Sequence, residues 1–79
     1  MIQRCTPDLI IHILSTKVGV PANTPDIDTA RWEELGVDSL GLSEVFANLS
    51  HHFDIEIPHE EALHTANVAE LVLVVNAQF

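Results

Sequence analysis

Apolar residues recur at helical spacing in three stretches of this chain, separated by segments rich in turn formers. The first stretch opens on Thr6-Pro7-Asp8. That is the chemistry of a helix start: a capping hydroxyl, a proline at the first helical position and an acid in the first turn. Leu9, Ile10, Ile11, Ile13, Leu14 and Val18 follow. Ile10, Ile13 or Leu14, and Val18 form a stripe that predicts a core-facing helix. The β-branched pair Ile10-Ile11 also suits a strand, but the cap and the segment length favour the helix. Gly19 and then Pro21 end it.

Residues 19–38 carry Pro21 and Pro25 and exceed the usual connection in a compact domain, so this segment is either functional or partly structured. Ile27, Ala30, Trp32 and Leu35 are its apolar anchors, and Trp32, the only tryptophan, is expected in the core rather than stacked on a ligand. A second helix runs from about Ser39 to His52 or Phe53. Leu42, Val45, Phe46, Leu49 and Phe53 give it a core face, and Leu40, Ser43, Glu44 and Ala47 lie along another face. Gly41 weakens its first turn by roughly 1 kcal/mol relative to alanine. Either it frees the helix start or admits a partner backbone, or it is simply tolerated. Asp54-Ile55-Glu56-Ile57-Pro58 reads as an extended connector, because Pro58 holds Ile57 out of the helical region. A short helix over about His59 to His64 follows. Asn67-Val68-Ala69-Glu70 then has capping-box spacing and opens a last helix, with Val68, Leu71, Val72 and Val75 inward. The run Leu71–Val75 has strand propensity, yet a single strand would have no partner. The expected fold is all-α: an antiparallel four-helix bundle with three longer helices, one short third helix and a long first loop, residues 1–79 forming one domain.

Composition narrows the partners. The chain has 79 residues, of which 47% are hydrophobic, too many for a disordered acidic tail. Its net charge is −9, from 12 acidic and 3 basic residues. Arg4, Lys17 and Arg31 are the only cations, and none occurs from Trp32 to Phe79. Nucleic acid and anionic membrane surfaces are therefore poor partners, and a basic protein surface is a good one. The single cysteine, Cys5, cannot form an internal disulfide, which fits a cytoplasmic location. Its place near a fraying N-terminus makes it incidental. The sequence shows no signal peptide and no stretch approaching a membrane span.

The candidate chemistry lies in Leu35-Gly36-Val37-Asp38-Ser39-Leu40, where a loop runs into the second helix. Asp38 is a natural N-cap. The Ser39 hydroxyl then projects from a helix N-terminus, a favourable place for a phosphate ester. Nothing nearby activates Ser39 as a nucleophile. No Gly-x-Ser-x-Gly elbow surrounds it, and His51 and His52 lie more than three turns along the helix. Ser39 reads as an attachment point. The histidines also lack metal-ligand spacing. His51 and His52 are adjacent and point about 100° apart on a helix. His59 and His64 are five apart, and no His-Glu-x-x-His or Cys-x-x-Cys occurs. No metal site is expected.

Gly36-Val37-Asp38-Ser39-Leu40, the helix behind it and Ile57-Pro58-His59-Glu60-Glu61 resemble an acyl carrier protein, and the resemblance spans nearly the whole chain. It implies that Ser39 carries 4′-phosphopantetheine, transferred from coenzyme A by a phosphopantetheinyl transferase, and that the terminal thiol holds acyl or polyketide intermediates as thioesters. It also implies docking of a ketosynthase, an acyltransferase and other pathway enzymes through basic surfaces. Asp38, Glu44, Glu60 and Glu61 are then an acidic docking surface near Ser39. Leu40, Ser43 and Ala47 are contact positions on the same helix, although Leu40 also suits a core edge. Many acyl carriers have acids where Ser50, His51 and His52 stand, and bulkier apolar residues at Ser43 and Ala47. These departures point to partners unlike those of a housekeeping fatty-acid carrier. The start at Met1 and the end soon after the last helix suggest a free-standing carrier of a dissociated fatty-acid or polyketide pathway, an excised domain being the alternative. It is expected to be a monomer when free and not itself an enzyme. Val37 before Asp38 suits acyl carriers, whereas peptidyl carriers more often have a Gly-Gly pair there. A peptidyl or aryl carrier shares the fold with different cargo. An unmodified acidic adaptor would explain the charge but leave the Asp-Ser-Leu position to chance.

Overall fold

The computed structural model describes residues 4–79 and is all-helical, with no strand among them. Helix α1 spans Pro7–Ile13, α2 Ser39–Phe53, α3 His59–Leu63 and α4 Val68–Asn76. Helix α1 packs against both α2 and α4, and the short α3 bridges α2 and α4. The fold is thus a bundle of three longer helices and one short one, with the long connection between α1 and α2.

The caps lie where side-chain chemistry puts them. The Thr6 hydroxyl accepts from the Leu9 N–H, and the Asn67 side chain accepts from the Glu70 N–H at 2.9 Å. The Glu70 carboxylate reaches back to the Ala66 N–H at 3.1 Å, one residue before the cap, so the capping box is shifted by one position. After Ile13 the first helix widens into a π-helical turn, Leu14–Val18. The hydroxyls of Ser15 and Thr16 both donate to the His12 carbonyl, at 3.0 and 2.8 Å. That competition with the backbone accompanies the loss of regular i→i−4 bonding. Gly19, in the left-handed region at φ 90°, closes the turn.

The core is one continuous cluster. Phe46, Ile10, Leu14, Leu49, Leu71, Val45, Val68 and Val75 are fully buried at its centre. Every residue expected on the inner face of α2 is buried. Val18 and Val72 are only half-buried, as are the loop anchors Ala30 and Leu35, whereas Ile27 and Trp32 are fully in the core.

Cys5 is not on a fraying end. It is buried, its N–H donates to the Asn76 side-chain oxygen at 2.8 Å, and the Asn76 amide donates back to its carbonyl at 3.1 Å. This pair of bonds staples the chain ahead of α1 to the last residue of α4. Burial pushes the Cys5 thiol up to about 11.

Candidate functional site

The segment before Ser39 is built to deliver it. Residues Arg31–Leu35 form a single helical-type turn, in which the Arg31 N–H is capped by the Glu34 carboxylate at 3.0 Å. Gly36, at φ 77°, ends that turn in the left-handed region that other residues enter at a cost. Its N–H bonds the Glu33 carbonyl and the Val37 N–H bonds the Trp32 carbonyl at 2.9 Å, the two bonds of a Schellman motif. Val37 is thereby turned into the core. Asp38, with its backbone extended, is the N-cap that starts the next helix. The Asp38 carboxylate accepts from the Gly41 N–H at 2.8 Å, and its carbonyl accepts from the Leu42 N–H at 2.9 Å.

Ser39 is the first residue of α2 and is exposed. The first N–H groups of a helix have no acceptor within it. Asp38 takes that of Gly41, and those of Ser39 and Leu40 belong to the same free set. The hydroxyl thus stands at the positive end of a 15-residue helix. A phosphodiester on it needs an open hydroxyl, local amide donors and no overlying side chain, and the exposed Ser39–Leu40 corner offers this. The group would meet solvent on one side and the start of α2 on the other.

The remaining expected site residues are distributed along α2 and α3. Leu40 is 80% exposed, so it is a surface residue and not a core edge. Ser43, Glu44 and Ala47 are exposed on α2. By helix geometry they stand about 6, 7.5 and 12 Å along the axis from Ser39, rotated by about 40°, 140° and 80°. The Glu44 carboxylate takes only a neutral partner, the Asn48 amide at 3.4 Å, so its charge is not cancelled by that contact. Glu60 and Glu61 are exposed in the first turn of α3. That helix starts beside the middle of α2, where His59 meets Phe46 edge-on with ring centroids 5.3 Å apart. The start of α3 and Ala47 together wall an open groove of roughly 1000 Å³, shared with Ser50, Ile57 and Pro58. Asp38, Ser39 and Leu40 are not among its lining residues.

Among the described residues no group of three or more His, Cys, Asp and Glu side chains could hold a metal ion. No helix of the described residues is long and apolar enough to cross a membrane. The sequence reading missed the partners of the long loop. The Trp32 N–H bonds the Ala66 carbonyl, the Ala69 N–H bonds the Asp28 carbonyl at 3.1 Å, and the Trp32 indole N–H bonds the Thr65 hydroxyl at 3.3 Å. Only the apolar character of Trp32 hinted at such anchoring.

Comparison with known proteins shows the family and the fold. The family described as phosphopantetheine attachment site matches residues 8–75. The acyl carrier protein of Clostridium acetobutylicum is 32% identical over 65 residues, covering 82% of this chain and 84% of the relative. Among solved structures, the 3,5-dioxohexyl acyl carrier protein (a triketide mimic) from the actinorhodin polyketide synthase of Streptomyces coelicolor superimposes with a TM-score of 0.82. It is 27% identical, covering 99% of this chain and 94% of that one. The acetyl form of the actinorhodin acyl carrier protein gives a TM-score of 0.79 at 26% identity, with the same coverage. The prosthetic group of the family is 4′-phosphopantetheine. The chain belongs to the phosphopantetheine attachment site family and is a carrier that tethers acyl groups as thioesters.

Proposed function

We propose that Ser39 is the attachment residue and that the chain, as a single carrier domain, serves a dissociated fatty-acid or polyketide pathway. The observation that carries this reading is the position of Ser39: exposed, first in α2, and fixed by the Asp38 cap and the Gly36 turn. Bound there, the phosphopantetheine thiol supplies thioester chemistry. The protein supplies the tether and the surface that selects the enzyme, which raises the effective concentration of cargo at each active site. Catalysis belongs to the partners, since His51 lies about 18 Å along α2 from Ser39, out of reach as a base.

Asp38 serves both as the cap and as part of what the phosphopantetheinyl transferase reads. Leu40, Ser43, Glu44 and Ala47 on α2, with Glu60 and Glu61 on α3, form the face offered to ketosynthase, acyltransferase and other basic-surfaced enzymes. Support comes from the exposure of all six and from the lack of any cation after Arg31. A net charge of −9 disfavours self-association, which supports a monomer between encounters. A cytoplasmic site fits a chain whose one cysteine is buried and free. The test is co-expression with a broad-specificity phosphopantetheinyl transferase, followed by intact mass and by loading with an acyl donor. The wild type gains one phosphopantetheinyl group and then one hydroxylamine-labile acyl group. An unmodified protein with several competent transferases would contradict the reading.

A further inference from the structure

The long first loop is tied to the α3–α4 junction, and one buried side chain, Thr65, sits at the centre of the tie. Thr65 is the only buried polar or charged residue among those described. Its hydroxyl donates to the Ala62 carbonyl in α3 at 2.6 Å and accepts from the Trp32 indole N–H at 3.3 Å. The Trp32 ring is buried, and its main chain is held at both ends. The N–H donates to the Ala66 carbonyl at 3.1 Å, and the carbonyl accepts from the Val37 N–H at 2.9 Å. Val37 immediately precedes Asp38 and Ser39. Two more bonds flank the tie: Ala69 N–H to the Asp28 carbonyl, and the Asn67 amide to the Thr29 carbonyl at 3.3 Å.

We propose that Thr65 is a positioning residue for Ser39, acting through Trp32, so that the α3–α4 junction fixes the turn that presents the attachment serine. The inference rests on Ser39 as the attachment residue. A hydroxyl is what the place requires, because it must accept from the indole while giving its own proton to Ala62. Valine has the shape and neither function, and it leaves the buried indole N–H without its acceptor, which a core tolerates poorly. The turn over residues 32–38 is then free to open while the helices stay packed. A transferase that needs Ser39 in its native place meets a smaller competent fraction, and the apparent affinity falls by that fraction.

The experiment uses the full chain as Thr65→Val, Thr65→Ser and Trp32→Phe, well below their melting temperatures. Amide exchange is read at Val37 and Leu42, relative to Leu49 in the middle of α2. Modification by a phosphopantetheinyl transferase with coenzyme A is read as KM and kcat for the carrier. Thr65→Val should speed exchange at Val37 and Leu42 by roughly three- to tenfold relative to Leu49. KM should rise with kcat kept, by no more than that factor because only the open fraction is lost to the transferase, and Thr65→Ser should restore both. Trp32→Phe removes the donor without orphaning it; it should show the same local loosening and decides the matter if Thr65→Val does not fold. A merely structural role would raise exchange equally at Val37, Leu42 and Leu49 and leave KM unchanged, and that result overturns the proposal. If the wild type accepts no group on Ser39, the attachment reading fails, while the exchange ratios still decide whether Thr65 holds the turn.

Discussion

Gly41 is the position where two local rules oppose each other, and the structure says which wins. On helix propensity alone, Gly41→Ala should stabilise α2 by up to about 1 kcal/mol. A Cβ built at Gly41 would lie 3.1 Å from Val37 Cγ1, 3.3 Å from Val18 Cγ1 and 3.5 Å from Asp38 Oδ1. Carbon atoms rest at about 3.5–4.0 Å, so both valines must withdraw by a few tenths of an ångström. Val18 is half-buried at the end of the π-helical turn and can yield. Val37 cannot yield easily, because it is buried and its N–H is fixed on the Trp32 carbonyl at 2.9 Å. Overpacking of this kind costs about 1–3 kcal/mol. The net expectation is a loss of about 1 kcal/mol, read as a melting temperature lower by roughly 4–8 °C for a domain of this size. The assay is thermal melting followed by circular dichroism, run as a cycle with Val37→Ala. Once Val37 is truncated, Gly41→Ala should become neutral or stabilising. A higher melting temperature for Gly41→Ala alone, or the same loss with Val37 truncated, would refute the steric account.

Two other perturbations test separate parts of the structure. Glu44→Lys should weaken transfer to or from a basic-surfaced partner enzyme, mainly through slower association. Added salt should narrow the gap, because screening removes attraction and repulsion alike; equal affinities at low salt would take Glu44 out of the docking face. The native Cys5 thiol is raised from 9.0 to about 11. At pH 8 its thiolate fraction is roughly a hundredfold below that of the unfolded chain, so thiol reagents should react slowly until denaturant is added. Folded Cys5 keeps its proton up to about pH 11, whereas the unfolded thiol releases it near 9.0. Stability is therefore flat in this respect below pH 9, and falls as pH rises from 9 to 11. Cys5→Ala should flatten that window, and an unchanged alkaline slope would contradict it.

The helices and their inner faces were legible because they are local. The inner face of α2 follows from spacing, and the caps at Thr6, Asp38 and Asn67 follow from one side chain reaching three residues on. The position of Ser39 at a helix start was legible for the same reason: a capping aspartate and a turn glycine mark that start. What escaped depends on contacts between distant parts of the chain. The Trp32–Thr65 bond spans 33 residues and the Cys5–Asn76 pair spans 71, and neither residue type announces its partner. Cys5 was read as loose only because its partner lies at the far end of the chain. The π-helical turn was missed for another reason. Its apolar pattern is that of an ordinary helix, and only the adjacent hydroxyls of Ser15 and Thr16, both bonded to His12, mark the distortion. Gly41 shows the limit from the other side: its sequence left open a freed helix start, room for a partner backbone or a tolerated substitution, and only the fold sets Val37 and Val18 against it.

The proposed attachment of phosphopantetheine rests on one serine, Ser39, at the start of α2. The most direct measurement modifies wild type, Ser39→Ala and Ser43→Ala side by side with coenzyme A and a phosphopantetheinyl transferase, with intact mass and helical circular dichroism read on each. Ser43 is the control because it is exposed about one turn along the same helix, without the N-terminal position or the Asp38 cap beside it. Wild type and Ser43→Ala should each gain one phosphopantetheinyl group, and Ser39→Ala should gain none while remaining helical. A mass gain on folded Ser39→Ala, or its loss in folded Ser43→Ala, would contradict the account.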